Sequence, residues 1–247
     1  MPRDWDARTY DRVADPMTRW GEAVLDRLPL TGDERVLDAG CGSGRVTELL
    51  AGRLPRGELV ALDGSPAMVD AARQRLARFG DRIQYVVADL GETLPIEPVD
   101  AILSTATFHW VPDHDALFRN LAAVLRPAGL LVAQCGGVGN IASIQRVLAT
   151  IGDGWLGDVY FATPLDTVRR LEAVGFVNPE VWLTDEPTRF EPGEPLDAYL
   201  RTVVLGSHLA RLPASEHDTF VRAVTAGLPG PVIDYVRLNI VARRSSR

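Results

Sequence analysis

The chain has 247 residues, 46% of them hydrophobic, which is enough for one α/β domain with a core of its own. Its formal charge of −7 (26 basic against 33 acidic side chains), without a basic run, argues against a nucleic-acid partner. No apolar run approaches the roughly 18 residues of a membrane span, the first residues carry no signal-peptide core, and Cys41 and Cys135 fit neither a disulfide framework nor a zinc site; a cytoplasmic protein without membrane or metal partners is expected.

Residues 1–20 set Trp5, Tyr10 and Trp20 among Asp and Arg, which suits either a surface helix or a flap over a ligand. Ala23, Val24, Leu25 and Leu28 have helical spacing, ended by Pro29 and Gly32. A first strand at 35–38 runs into Val36-Leu37-Asp38-Ala39-Gly40-Cys41-Gly42-Ser43-Gly44-Arg45, and a helix follows over about 44–53. The second strand, 58–62, ends on Asp63. Ser65 then caps, and Pro66 opens, a helix with Met68, Val69, Ala72 and Leu76 on one face. The third strand, 83–88, ends on Asp89. The fourth, 99–104, leads into the loop 105–113, a helix over about 114–125 and a fifth strand at 130–134. Strands alternating with helices at this pitch predict parallel βαβ units with right-handed crossovers. Beyond Gly136 the pattern predicts helices at 140–151 and 164–174, a strand at 176–185, helices at 196–212 and 216–228, and a last alternating strand at 232–242. The core is then seven strands, with a helical insert of about residues 186–230 before the last.

Three glycines at alternate positions need a reason, either positive φ or a ligand close to the backbone. A dinucleotide would want Gly-x-Gly-x-x-Gly, but the third position here is Arg45, and Asp38 would lie close to a diphosphate. S-adenosylmethionine has no phosphate. Asp38 can accept from its ammonium directly or through water, and Gly40, Gly42 and Gly44 let the backbone approach its methionine part. Asp63 has the position to take both ribose hydroxyls, Asp89 can accept the adenine amino group, and Met68 and Leu90 can pack on the adenine faces. Each of these residues also has an ordinary role, an Asp at a strand end as a cap or turn former above all. The constellation of three strand-end acids facing one crevice is what favours the ligand.

Val36–Arg45 together with Leu62-Asp63-Gly64-Ser65-Pro66, Val87-Ala88-Asp89-Leu90, residues 100–104 and Leu125-Arg126-Pro127 with Gly129 resembles the ordered motifs of class I S-adenosylmethionine-dependent methyltransferases over about residues 33–135. The resemblance implies a three-layer, Rossmann-like, seven-stranded and mostly parallel sheet of order 3-2-1-4-5-7-6, with strand seven antiparallel and an insert roofing the substrate. It implies one domain over 1–247: an arm or lid at 1–30, a cofactor-binding core at 31–135, and a C-terminal half with the cap. Tyr10, Trp20, Ala39, Gly64, Ala88 and Thr105 complete the candidate cofactor contacts. Within the family, Ser104-Thr105-Ala106-Thr107-Phe108-His109-Trp110-Val111 and Tyr10 are similar to trans-aconitate methyltransferases and to the enzyme that methylates malonyl-acyl carrier protein, which act on carboxylates.

The expected reaction is methyl transfer to a small molecule, leaving S-adenosylhomocysteine. O-methylation of a carboxylate or hydroxyl stands first; N- or C-methylation, and more remotely a nicotinamide oxidoreductase, are the alternatives. A carboxylate needs no general base, whereas a hydroxyl, amine or carbon acid does, and His109 is the candidate, with a structural role as its rival. Phe108 and Trp110 are candidate walls. Arg201 and His208, with Arg19 and Arg211, are candidate partners for an acidic substrate. A monomer or homodimer is expected.

Overall fold

The computed structural model describes residues 15–151 and 153–246. Helix α1 (Asp15–Leu25) precedes β1 (Arg35–Ala39), α2 (Arg45–Gly52), β2 (Glu58–Asp63), α3 (Pro66–Arg75), β3 (Ile83–Val87), β4 (Val99–Thr105), α4 (His114–Val124) and β5 (Leu125–Gly136). There follow α5 (Ala142–Leu148), α6 (Pro164–Ala173), β6 (Phe176–Asp185), α7 (Glu194–Tyr199), α8 (Gly206–Leu209), α9 (His217–Gly227) and β7 (Val236–Arg244). The seven strands form one sheet of order β3-β2-β1-β4-β5-β7-β6, as expected. β1 to β5 pair in parallel, and β7 runs antiparallel between β5 and β6.

Central strands read as near-continuous apolar runs because helices cover both faces. Val36 and Leu37 of β1 are both fully buried, yet they belong to different cores. Val36 packs with Val24, Leu50 and Ala72 under α1, α2 and α3. Leu37 packs with Leu117, Phe118 and Leu171 under α4 and α6. A third apolar cluster joins Trp20, Ile141, Ile144, Leu200 and Val221, and so ties α1, α5 and the insert together. Helix starts follow local chemistry: Ser65 accepts from Met68 N at 3.3 Å with Pro66 in the first turn, and Asp113 accepts from Asp115 N and Ala116 N at 3.0 and 2.9 Å.

Four elements differ from the sequence reading. The fifth strand, expected at 130–134, runs over Leu125–Gly136. The helix expected at 196–212 is broken into α7, a π turn over Leu200–Val204 and α8, with Leu205 N bonding Leu200 O at 2.8 Å. The last strand begins at Val236, because Asp234 leaves the sheet to bond Ser143 N and Oγ at 2.9 and 2.5 Å at the start of α5; Val232–Ile233 pairs instead with Thr188–Arg189 in a two-stranded ribbon. The helix expected at 140–151 shortens to α5, since Asn140 accepts from Val236 N and Ile141 takes a left-handed conformation.

Candidate active site

The C-terminal ends of β1, β2 and β4 converge on the glycine turn. The amides of Gly40 and Cys41 both donate to Leu62 O, at 2.8 and 2.9 Å, so the turn folds back over the end of β2. Asp63 then accepts from Gly42 N and Ser65 N, each at 2.9 Å, one to each carboxylate oxygen. Each oxygen has a second lone pair for another donor. Burial is the main cause that raises the Asp63 carboxyl above its usual range.

The three glycines do different things. A Cβ on Gly40 would lie 2.1 Å from Thr107 Oγ1, so this glycine exists to let the loop after β4 close onto the turn. A Cβ on Gly44 would sit 3.2 Å from Ala72 Cα, so that glycine lets α2 approach α3. A Cβ on Gly42 would meet nothing within 4 Å, and Gly42 lines a cavity. Its bare backbone forms a cradle that a side chain would fill.

The cavity has a volume of about 460 Å³. On one side its wall holds Gly40, Gly42, Asp63, Gly64 and Met68, with Ala88, Asp89, Leu90 and Thr105 continuing it; Asp89 accepts from Gly91 N at 2.9 Å. These predicted cofactor residues are therefore brought together. Asp38 and Ala39 lie behind the turn, outside the cavity wall. Asp38 is 1% exposed. Its Oδ2 accepts from Thr47 at 2.7 Å, and its Oδ1 has no hydrogen-bond partner among the described residues. Burial first, and the charge of Asp63, push its carboxyl up to about 7 against the Thr47 hydrogen bond. Ala39 O accepts from Ser104 Oγ at 2.6 Å. An orphaned buried carboxylate oxygen behind a bare glycine cradle, with acids at the ends of β1 and β2, fits the ammonium and ribose of S-adenosylmethionine. Tyr10 lies outside the described residues.

The other side of the cavity is built by the loop after β4, α5 and the insert. His109 and Trp110 line it, whereas Phe108 is fully buried edge-to-face on Phe118 in the core below. His109 is 9% exposed and its Nδ1 accepts from Gly136 N at 3.3 Å. The neutral ring then carries its proton on Nε2 and is a donor there. Burial, then Arg237, hold its pKa well below the usual histidine range. Asp113, which the sequence sets near His109, is committed to capping α4.

Arg201, expected in the roof, instead pairs with Asp218 at 2.5 Å outside the cavity wall, and Arg211 pairs with Asp153 at 2.9 Å. Among the described residues, the permanently charged cation in the wall is Arg237 of β7, only 2% exposed. Gly136, which bonds His109, is its cross-strand neighbour. Its guanidinium lies 4.7 Å from the Trp20 ring and its Nε donates to Gln134 Oε1 at 3.4 Å. Trp20 thus stands behind Arg237, outside the wall itself, with Nε1 donating to Glu186 at 3.3 Å. The sequence reading missed Arg237 because Val236, Leu238 and Ile240 make β7 read as a strand with one solvated face. The available signal was Arg237 and Asn239 at alternate positions of a strand that must close the sheet. His208 reaches the wall; its Nε2 donates to Trp155 O at 3.0 Å, which orients the ring, while burial lowers its pKa from the usual histidine range.

No described helix is long and apolar enough to cross a membrane, and no cluster of metal-ligating side chains occurs among the described residues. The chain matches a methyltransferase-domain family over residues 36–129. It is 30% identical to the trans-aconitate 2-methyltransferase of Methylobacterium radiotolerans over 98% of its own length and 99% of that protein's. It is 31% identical to the protein of the same name from Azoarcus sp., over 91% and 89%. It superposes on Haemonchus contortus phosphoethanolamine N-methyltransferase 2, solved with phosphomonomethylethanolamine and S-adenosylhomocysteine, with a TM-score of 0.67 at 20% identity, covering 98% of this chain and 57% of that one. At that identity the likeness concerns the fold.

Proposed function

The chain belongs to the class I S-adenosylmethionine-dependent methyltransferases, and from that membership we propose that it transfers the methyl group to a carboxylate oxygen of a small molecule. The observation that carries this reading is Arg237, a buried guanidinium in the acceptor half of the cavity wall beside His109. A guanidinium matches a carboxylate in shape and charge. The trans-aconitate 2-methyltransferase name of the full-length relatives supports the same acceptor group.

When bound, S-adenosylmethionine supplies a methyl group on a positively charged sulfur, already activated for displacement. Asp63 accepts the ribose hydroxyls on the lone pairs left free by Gly42 and Ser65. Asp89 accepts the adenine amino group, and Met68 and Leu90 pack on its faces. Asp38 provides the negative charge behind the turn for the ammonium. Arg237 binds the acceptor carboxylate, and His109 donates to it from Nε2, so that one oxygen is held in line with the methyl. The carboxylate is its own nucleophile, and His109 removes no proton. The apolar wall excludes water. In this reading the chain is one domain in which residues 31–135 hold the cofactor and the insert at about 186–230 covers the acceptor, while most of the arm expected at 1–30 lies outside the described residues.

The test is methyl transfer from labelled S-adenosylmethionine to carboxylic acids and to the corresponding alcohols and amines. Acids should yield an ester that mild alkali cleaves, and Arg237→Gln should lower kcat/KM for the acid by about 10- to 100-fold while cofactor affinity holds. A label that resists alkali would overturn the reading.

A further inference from the structure

We infer that Asn140 is a further acceptor-binding residue: its Nδ2 donates to the carboxylate oxygen that does not take the methyl group, beside His109 Nε2. This rests on the carboxylate reading above and adds a contact to it.

Asn140 is 3% exposed, yet it lines the cavity on the acceptor side, just before α5. Its N donates to Gly137 O at 3.0 Å, and its Oδ1 accepts from Val236 N at 3.0 Å where the pairing of β5 with β7 ends. The second bond fixes which way the carboxamide faces. A backbone N–H can only donate, so the atom that meets Val236 is the oxygen, and the amino group takes the other side. Among the described residues the bond to Val236 is the one hydrogen bond of this side chain. Nδ2 is nevertheless not sealed off: the fully buried side-chain nitrogens and oxygens without a partner are Arg35 Nε, Asp38 Oδ1, His114 Nδ1 and His208 Nδ1. A nearly buried amide, held by its oxygen and open at its donors, opens on the cavity that it lines.

Gly136 sets this donor beside His109. A Cβ on Gly136 would lie 2.9 Å from Asn140 Nδ2 and 2.7 Å from Phe161 Cε1, so the missing side chain is what admits both. Gly136 N also donates to His109 Nδ1 at 3.3 Å, and the Phe161 ring stacks on the His109 ring with centroids 6.0 Å apart. His109, Phe161 and Asn140 thus gather around one glycine, and all three line the cavity. The two polar side chains are oriented by the same device. Each keeps its acceptor atom on a backbone N–H, His109 Nδ1 on Gly136 and Asn140 Oδ1 on Val236, and so turns a donor the other way. A pair of donors suits a carboxylate, which only accepts, and leaves the N–H of an amine without a partner. Asn140 holds one carboxylate oxygen while a lone pair of the other attacks the methyl group. As a cap for the end of β7, Asn140 needs only its oxygen, which an aspartate also has; the donor is what separates the two roles.

The experiment measures ester formation at saturating S-adenosylmethionine with hexanoate, benzoate, malonate and trans-aconitate, and inhibition of the best acid's reaction by the primary amide of that acid. Asn140→Asp keeps an oxygen for Val236 N and replaces the donor by a charge. It should lower kcat/KM for the acid at least about 30-fold, chiefly through KM, because a hydrogen bond to a charged group is lost and a like charge takes its place. The amide can donate its own N–H to the new carboxylate, so the ratio of its inhibition constant to the KM of the acid should fall by about the same factor. A packing defect alone weakens both ligands alike and leaves the ratio where it was. Cofactor affinity by calorimetry reports that the variant is folded. Asn140→Ala, which removes the donor without adding charge, carries the test if it is not: kcat/KM should fall about tenfold and the ratio should move the same way. Ester formation with the ratio unchanged in the folded variant overturns this inference and leaves the carboxylate reading standing. No ester from any of these acids overturns both.

Discussion

Lowering the pH should weaken S-adenosylmethionine binding, and Asp38 should be the cause. In the free protein this carboxyl moves from an ordinary 3.8 up to about 7, with burial as the leading cause. Ionising it at neutral pH therefore costs about 4 kcal/mol relative to an exposed carboxyl. The sign follows from proton binding: the carboxyl's contribution to the stability of the free fold is full below pH 3.8 and is lost as the pH rises through about 7. An ammonium reverses the preference, because it pairs with the carboxylate and not with the acid. Binding then releases a proton near neutrality. Between pH 7.0 and 5.5 the ionised fraction falls from about one half to about 3%, so affinity should drop about fifteenfold. The window stops at pH 7 because an α-amino group itself titrates at about 7.7–8.0. The assay is calorimetry at both pH values, repeated in two buffers of different ionisation enthalpy to count the proton. Asp38→Asn keeps the shape, should bind about 10-fold or more weakly at pH 7, and should lose most of the slope. Asp63, raised in the same direction, leaves a residual dependence. Equal affinity at the two pH values, or an unchanged slope in Asp38→Asn, would refute the reasoning.

Gly42→Ala and Gly40→Ala should part company. The first places its methyl in open cavity and should impair cofactor binding in calorimetry with modest loss of stability; the second drives a Cβ to 2.1 Å from Thr107 Oγ1 and should cost about 2–4 kcal/mol in urea unfolding. His109→Ala should raise the KM for the acid about tenfold or more at saturating cofactor. With cofactor kept saturating at each pH, the wild-type rate should show no limb near pH 6.5, because burial favours the neutral ring; a wild-type limb near pH 6.5 that the variant lacks would identify a base instead.

The sheet order and the cofactor half were legible because strand-end acids, glycine spacing and caps are local signals. Asp63 and Met68 of one βα unit and Asp89 of the next reach one cavity, and sequence spacing alone puts them there. The acceptor half was not legible, because its geometry depends on contacts across the chain. Arg237 reads as one residue of an alternating strand until β5 and β6 are known to flank it on both sides. Phe108 and Trp110 are two apart in one sequence motif, yet a single 3₁₀ turn sends the first into the core and leaves the second on the wall. Arg201 was plausible from its place in the insert, but the π turn and α9 commit it to Asp218.

The fit of Thr107 into the space above Gly40 also bears on how such an enzyme can change its diet. The loop that carries His109 is interlocked with the loop that carries the cofactor cradle, so a substitution in either must be answered in the other. Neither is free to drift. The insert helices instead pack around Leu200 and Val221 in a cluster that they share with Trp20 of α1, Ile144 of α5 and Tyr235 just before β7. Variation there leaves the alignment of donor and acceptor oxygen intact. New acceptors should therefore be acquired by repacking the insert, and selections for altered substrate range should return changes at Val203, Val204 and Leu148 before any at Thr107.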